Sequence, residues 1–272
     1  MSGRLLEVNQ RKVWILEDGN GPPLLYLHGF ADVHSVKENW LPFHERLFSH
    51  ARVIAPAHPG CAQTEENWDV GSIEDVVFHY LEVVDALALK EFDLVGACVG
   101  GWIAAEIAVR HPEKIRKLAL VGAAGLFVEG APIGDVFMMA QPERGATYVG
   151  LRSMLFSHAD LPKAVEFFPD GRGEIEEELR RYQMLRFSSR IGFQPPYFYN
   201  RSLKNRLHRI LAPTLVVWGE DDHMVPLSHG ETYARSIPKA QGIKIIKQAG
   251  HSVHVEAPDL ASPIVSDFLT DR

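Results

Sequence analysis

Apolar residues fall along the chain in short runs divided by polar turns, and these runs alternate with stretches spaced as helix faces. Residues 4–8 and 12–17 read as two short strands around a polar turn, the opening hairpin of a sheet. The run LLYLHG, Leu24 to Gly29, is apolar and closed by glycine, as a strand covered on both faces should be. Residues 52–56 repeat that pattern, and over 72–89 the positions of Ile73, Val76, Val77, Tyr80, Leu81, Val84 and Leu87 line one face of a helix. Asp93 to Gly96 predicts a strand, Val99 to Arg110 a helix stopped by His111 and Pro112, and residues 115–122 the next strand. Strands alternating with helices imply right-handed crossovers and a mainly parallel sheet, so the predicted class is α/β.

The rhythm changes after Gly125. From there to about Leu211 the pattern gives amphipathic helical stretches, notably 174–187, and an aromatic loop, QPPYFYN, but no buried strand. Alternation resumes with a strand at Thr214 to Trp218, a helix near 227–236, a strand at Ile243 to Lys247 and a last helix from Pro258 to Leu269. The expected organisation is a core domain formed by residues 1–125 and 212–272, interrupted by a helical cap insertion at 126–211. Such an insertion would cover the carboxyl ends of the strands, where open α/β sheets bind ligands.

A chain of 272 residues suffices for one large domain of this kind. Its net charge of −7 and scattered Lys and Arg give no basic stripe for nucleic acid or an anionic membrane. The opening MSGRLLEVNQRKVWILEDG alternates polar and apolar residues, so no secretion signal is expected, and nowhere do apolar residues run long enough to span a bilayer. Only Cys61 and Cys98 occur, too few for a disulfide framework and without metal-ligand spacing, which fits a reducing cytoplasm and a protein using no metal or cofactor.

Chemistry concentrates in FDLVGACVGGWIAAEIA, Phe92 to Ala108. Gly96, Cys98 and Gly100 stand between a strand and a helix, the context of a nucleophile elbow, where flanking glycines let the backbone turn sharply and lift the central side chain to the sheet edge. A free cysteine is more often an inert buried thiol, but this setting points to Cys98 as a nucleophile. His251, in Gln248 to Ser252 after the last strand, is placed to take the thiol proton and return it to a leaving group; His254 is its nearest competitor. The loop in TLVVWGEDDHMVP offers Glu220, Asp221 and Asp222 to orient the imidazole, against the plainer reading of a solvated acidic loop. The order nucleophile, acid, base distinguishes this arrangement from other triads. Cys61 has no comparable setting and reads as packing.

On these motifs the chain resembles the α/β-hydrolase superfamily, in its capped branch of esterases, carbon–carbon bond hydrolases, epoxide hydrolases and dehalogenases, with Cys in place of the elbow Ser. The resemblance implies an oxyanion hole from the N–H groups of Phe30, after Leu27-His28-Gly29, and Val99. It selects Asp222 as the acid, from the family spacing W-G-x-x-D, and His251 as the base, from G-H-x-x-x-x-E-x-P completed by Glu256 and Pro258. The family segment D-x-P-G-x-G-x-S becomes Ala57-His58-Pro59-Gly60-Cys61-Ala62-Gln63-Thr64, without its acid and second glycine.

A thiol cannot follow the alkyl-ester route of dehalogenases and epoxide hydrolases, whose elbow residue is aspartate. The expected function is therefore a hydrolase using a Cys-His-Asp triad on an ester, thioester or activated lactone through a covalent acyl-enzyme. Carbon–carbon cleavage or acyl transfer on the same triad, or a ligand receptor on a hydrolase scaffold, are the alternatives. The expected partner is a small apolar or aromatic acyl compound, met by cap residues such as Phe127, Phe137, Met138, Met139, Phe156 and Phe198 or merely enclosed by a cap those residues glue to the core; a homodimer is left open.

Overall fold

The computed structural model describes residues 3–35, 40–136, 148–171, 174–193 and 197–271. Phe137, Met138 and Met139, and residues 194–196 of the aromatic loop, lie outside the described residues. Eight strands, β1 (Arg4–Val8), β2 (Arg11–Asp18), β3 (Pro23–Leu27), β4 (Arg52–Pro56), β5 (Phe92–Ala97), β6 (Ile115–Val121), β7 (Thr214–Gly219) and β8 (Ala240–Ile246), make one sheet in the order 1-2-4-3-5-6-7-8. The β1–β2 and β2–β4 pairs are antiparallel and the rest parallel, as the α/β pattern predicted. The opening hairpin turns through Asn9 and Gln10, both at positive φ (47° and 65°), a geometry whose twist suits the flanking strands.

Every residue of β5 and β7 is buried, and apart from Asp93 and Thr214 their sequences read as apolar runs. β8 is an edge strand with mostly exposed or half-exposed residues. Its sequence therefore carries little pattern, and the strand begins at Ala240 rather than at Ile243 as predicted.

Helices α1 (Pro42–Glu45), α2 (Ile73–Ala86), α3 (Val99–Arg110), α4 (Val149–Leu155), α5 (Pro162–Phe167), α6 (Ile175–Gly192), α7 (Leu227–Ser236), α8 (Val253–Glu256) and α9 (Pro258–Thr270) complete the described elements. At the start of α2 the Ser72 side chain accepts the Asp75 N–H at 3.2 Å, capping one of the free amides of the first turn. Helix α6 continues to Gly192, past the expected end at residue 187. α1 and α8 are single turns, and α4 and α5 are little longer, so none has enough repeats for a helical period to show. Within the described residues, the chain between β6 and β7 is built from helices and carries no named strand. No described helix is long and apolar enough to cross a membrane.

β3 lies between β4 and β5, so chain segments leaving it in sequence order diverge to opposite sides of the sheet. The crevice at such a point, beyond the carboxyl ends of the strands, is where ligands bind in open α/β sheets. It falls between Gly29, after β3, and Cys98, after β5: a Cβ built on Gly29 would lie 2.9 Å from the Cβ of Cys98.

Gly100 brings the two strand ends together, because a Cβ there would stand 2.0 Å from the Leu27 carbonyl oxygen. Gly100→Ala must drive α3 off the end of β3 and is expected to lower the unfolding free energy by about 1–3 kcal/mol. A denaturant titration measures the change; an unaltered midpoint would contradict this close packing.

Candidate active site

Cys98 is the single residue between β5 and α3, and its backbone stands at φ 53° and ψ −117°. Such a conformation costs roughly 1–3 kcal/mol and persists only where neighbours enforce it. Here the Cys98 N–H donates to Val121 O at 3.0 Å, and its carbonyl accepts from the N–H groups of Ala124 (3.1 Å) and Trp102 (3.2 Å). Trp102 faces inward: it is buried, its indole N–H donates to Glu106 at 3.3 Å, and its ring packs where a Gly125 Cβ would be.

His251 and Asp222 are brought together in the structure. The Nδ1 atom of His251 lies 2.9 Å from Asp222 Oδ2, and both side chains are buried. Asp222 Oδ1 accepts the N–H groups of Met224 (2.9 Å) and Val225 (2.7 Å), which fixes the carboxylate and leaves Oδ2 for the imidazole. Glu220 is exposed and Asp221 only partly buried. Burial works against charge on His251, but Asp222 and then Cys98 outweigh it and hold the imidazole well above its usual range. Its Nε2 is buried, and the Cys98 thiol is the group that interacts with the ring on the side away from Asp222. Glu256 braces this loop, accepting the Gly250 N–H at 2.9 Å and the Ser157 N–H at 3.1 Å. His254, the competitor for the base, belongs to α8 and its Nε2 stands beside Asp32, 3.1 Å from Oδ2.

Phe30 and Val99 sit on opposite sides of the crevice, and neither amide donates a hydrogen bond to another described residue. The Phe30 ring lies 6.2 Å from that of Phe198, centroid to centroid. A cavity of about 110 Å³ bordered by Ile133, Gly134, Asp135, Phe193, Tyr197 and Phe198 meets this pair through Phe198; neither it nor a larger recess of about 630 Å³ between β8 and α9 is lined by Cys98, His251 or Asp222. Cys61 and Cys98 are both unpaired, and burial pushes the Cys61 thiol far up. The described residues contain no group of three or more His, Cys, Asp or Glu arranged to hold a metal.

Behind Phe30 the structure assembles histidines that no motif joined. The rings of His28 and His58 stack at 3.8 Å, and His58 stacks in turn on Phe187 of α6 at 4.2 Å. His28 Nε2 accepts the His58 N–H at 3.1 Å, His58 Nε2 donates to the His28 carbonyl at 3.0 Å, and His34 Nε2 donates to the Ala55 carbonyl at 3.0 Å. These are the bonds of neutral rings. Burial lowers His34, His44 and His58 to about 3 and His28 well below its usual range. Asp32, at the centre of this region, carries no sequence signature and was not predicted.

Residues 22–258 match the model of the alpha/beta hydrolase fold family. The chain belongs to this family. This α/β hydrolase is 30% identical over 270 residues to 2-hydroxymuconate semialdehyde hydrolase of Pseudomonas sp. (strain CF600), covering 94% of this chain and 89% of the relative. It is 28% identical to monoacylglycerol lipase abhd6-B of Xenopus laevis, over 93% of this chain and 76% of the relative. Among solved structures, naproxen esterase of Bacillus subtilis superposes with a TM-score of 0.78 at 19% identity, over 99% of this chain and 91% of that one, a likeness of fold alone.

The neutral histidines set a pH dependence. Unfolded imidazoles take up protons near pH 6.5, whereas His34, His44 and His58 in the folded hydrolase do so only at about 3. Their contribution is therefore complete above the unfolded value and lost as pH falls from there toward about 3. Urea midpoints measured from neutral to acid pH are expected to fall over this window; a flat profile would show that these rings are not held neutral.

Proposed function

We propose that this protein is a cysteine-dependent hydrolase of small apolar acyl compounds, acting on an ester, thioester or activated lactone. The observation that carries the reading is the buried His251–Asp222 contact of 2.9 Å on the loop beside the Cys98 elbow. His251 Nε2 takes the proton of Cys98, and the sulfur attacks the substrate carbonyl carbon. Negative charge gathers on the carbonyl oxygen, where the N–H groups of Phe30 and Val99 receive it at the first turn of α3. As the tetrahedral species collapses, the bond to the leaving oxygen or sulfur breaks and the imidazolium supplies its proton. Water then attacks the thioester, giving a proton to His251; the carbon–sulfur bond breaks, the carboxylic acid leaves, and the proton returns to Cys98.

The helical segment 126–211 is read as a cap over this crevice. Support comes from Phe187 of α6 stacked on His58 and from Phe198 beside Phe30. The rings of Phe193, Tyr197 and Phe198 in the adjoining cavity, which also carries Asp135, favour an acyl group with an apolar body. A reducing compartment such as the cytoplasm would keep Cys98 a thiol.

A second reading keeps the residues and changes the bond: hydrolysis of a carbon–carbon bond in a vinylogous diketone. It is favoured by the 30% identity to a relative named 2-hydroxymuconate semialdehyde hydrolase.

Brief exposure to an activated aryl ester, followed by intact-mass and peptide analysis, is expected to show one acyl group on Cys98. Cys98→Ala should abolish both adduct and turnover. Turnover indifferent to Cys98 would end this proposal, and ligand-induced stabilisation without turnover would point to a receptor instead. Product analysis with a competing alcohol separates acyl transfer from hydrolysis, and a diketone substrate tests the second reading.

Asp222→Asn should leave the fold intact but allow the wrong imidazole tautomer, lowering kcat by up to about 10,000-fold, the loss measured for the corresponding change in a serine triad. A loss under about threefold in steady-state assays would remove Asp222 from the role given it here.

A further inference from the structure

Asp32 is fully buried in the loop that follows β3. Its Oδ2 accepts the Tyr26 hydroxyl at 2.7 Å and the Gly29 N–H at 2.9 Å, and its Oδ1 accepts the Val33 N–H at 2.7 Å. Two imidazoles complete the shell: His254 Nε2 lies 3.1 Å from Oδ2 and His44 Nε2 lies 3.5 Å from Oδ1. His254 makes the closer approach and the stronger interaction, whereas His44, kept neutral by burial, stands beside the carboxylate without a hydrogen bond. Among the described residues no Lys or Arg comes within ion-pair distance of this carboxylate. Burial favours the neutral acid, but His254 above all, helped by the Tyr26 hydroxyl, outweighs it and holds the carboxyl well below its usual range.

An ionised carboxylate in such a place is costly, and apolar replacements of buried ion pairs are often neutral or stabilising. Its retention is better explained by what it connects. Gly29 and Val33, whose amides it holds, bracket Phe30 in the chain, and Gly29 abuts Cys98. On the other side, His254 stands three residues after His251, within a turn closed by the Val255 and Glu256 N–H groups donating to Ser252 O at 2.8 and 2.9 Å. A displacement of His254 is thereby passed to His251. Phe43 packs edge-on against both imidazoles, 5.2 Å from His44 and 5.6 Å from His254, so the pair has little room to shift.

We propose that Asp32 and His254 form a positioning pair that fixes the Phe30 amide and the His251 imidazole relative to each other, so that one carbonyl group can meet both. Resting on the roles given to Cys98, His251 and Phe30 above, this adds a second carboxylate–imidazole pair that never touches substrate. It accounts for the placement of His254 so close to the base without acting as one. Displacing a catalytic group by about an ångström can cost on the order of 100-fold in rate, so a device that prevents such drift is worth its buried charge.

The test compares Asp32→Asn, His254→Gln and the double variant with the native protein on an activated aryl ester. Each single variant is expected to lose about 10- to 100-fold in kcat with KM within about twofold, the split expected when alignment rather than binding fails. Because both residues act through one contact, the double variant should be little worse than the worse single. An unchanged kcat in either folded variant overturns the proposal, as does multiplication of the two losses. Should Asp32→Asn not fold, His254→Gln decides alone. The rate of Cys98 alkylation by iodoacetamide is read in parallel and needs no substrate. If the native protein forms no acyl adduct, the nucleophile assignment fails by itself, while slower alkylation in His254→Gln would still support the positioning of His251 and an unchanged rate would refute it.

Discussion

Strand β5 ends at Ala97 and helix α3 begins at Val99, so Cys98 alone must reverse the chain, at φ 53° and ψ −117°. L-residues rarely adopt such a conformation, and it survives because both neighbouring strands and the helix hold it. Gly96 and Gly100 lack the side chains that would block the turn: a Cβ on Gly96 would lie 2.4 Å from the Gly100 carbonyl oxygen. The consequence is directional. The sulfur is held at the rim of the sheet beside Gly29, at the point where successive strands diverge, and every other group in the site is arranged around that fixed atom.

Three loops must then be kept at matching heights, and each is tied by a carboxylate to main-chain amides. Asp222 holds Met224 and Val225 and faces His251; Glu256 holds Gly250 and Ser157; Asp32 holds Gly29 and Val33. Charge-assisted bonds of this type are stronger and more directional than neutral ones, so they suit loops that lack a ladder of their own. Glu256 also joins the loop of His251 to the end of α4, through Ser157, and Ser252 donates to the Leu155 carbonyl at 2.8 Å. The helical segment is thus bonded to the loop that carries the proposed base, not merely laid over it.

The stacked rings of His28, His58 and Phe187 extend the same principle from the strand end to α6. Histidine serves there as a flat side chain with a donor and an acceptor, and burial keeps it uncharged. His251 differs because a carboxylate and a thiol adjoin it, which reverses the direction of its shift in an equally buried setting. Identical side chains in equally buried settings therefore take opposite protonation behaviour from their neighbours alone.

Sequence patterning determined the order of strands and longer helices, the α/β class and the strand–turn–helix setting of Cys98, because each is a local property of spacing and residue size. It also brought forward His251 and the acidic loop, since both follow strand ends. It could not reveal the single-turn helices or the start of β8, where too few residues or too little burial leave any periodicity. It preferred His251 to His254 from their places before the last helix, but could not tell what His254 meets instead, or mark Asp32. Those distinctions depend on which carboxylate each imidazole meets, and the partners lie 29 residues away for His251 and more than two hundred for His254. Only the closing of the sheet, which brings the ends of β3, β5, β7 and β8 to one rim, decides such pairings, because a buried charge is satisfied by what surrounds it in space.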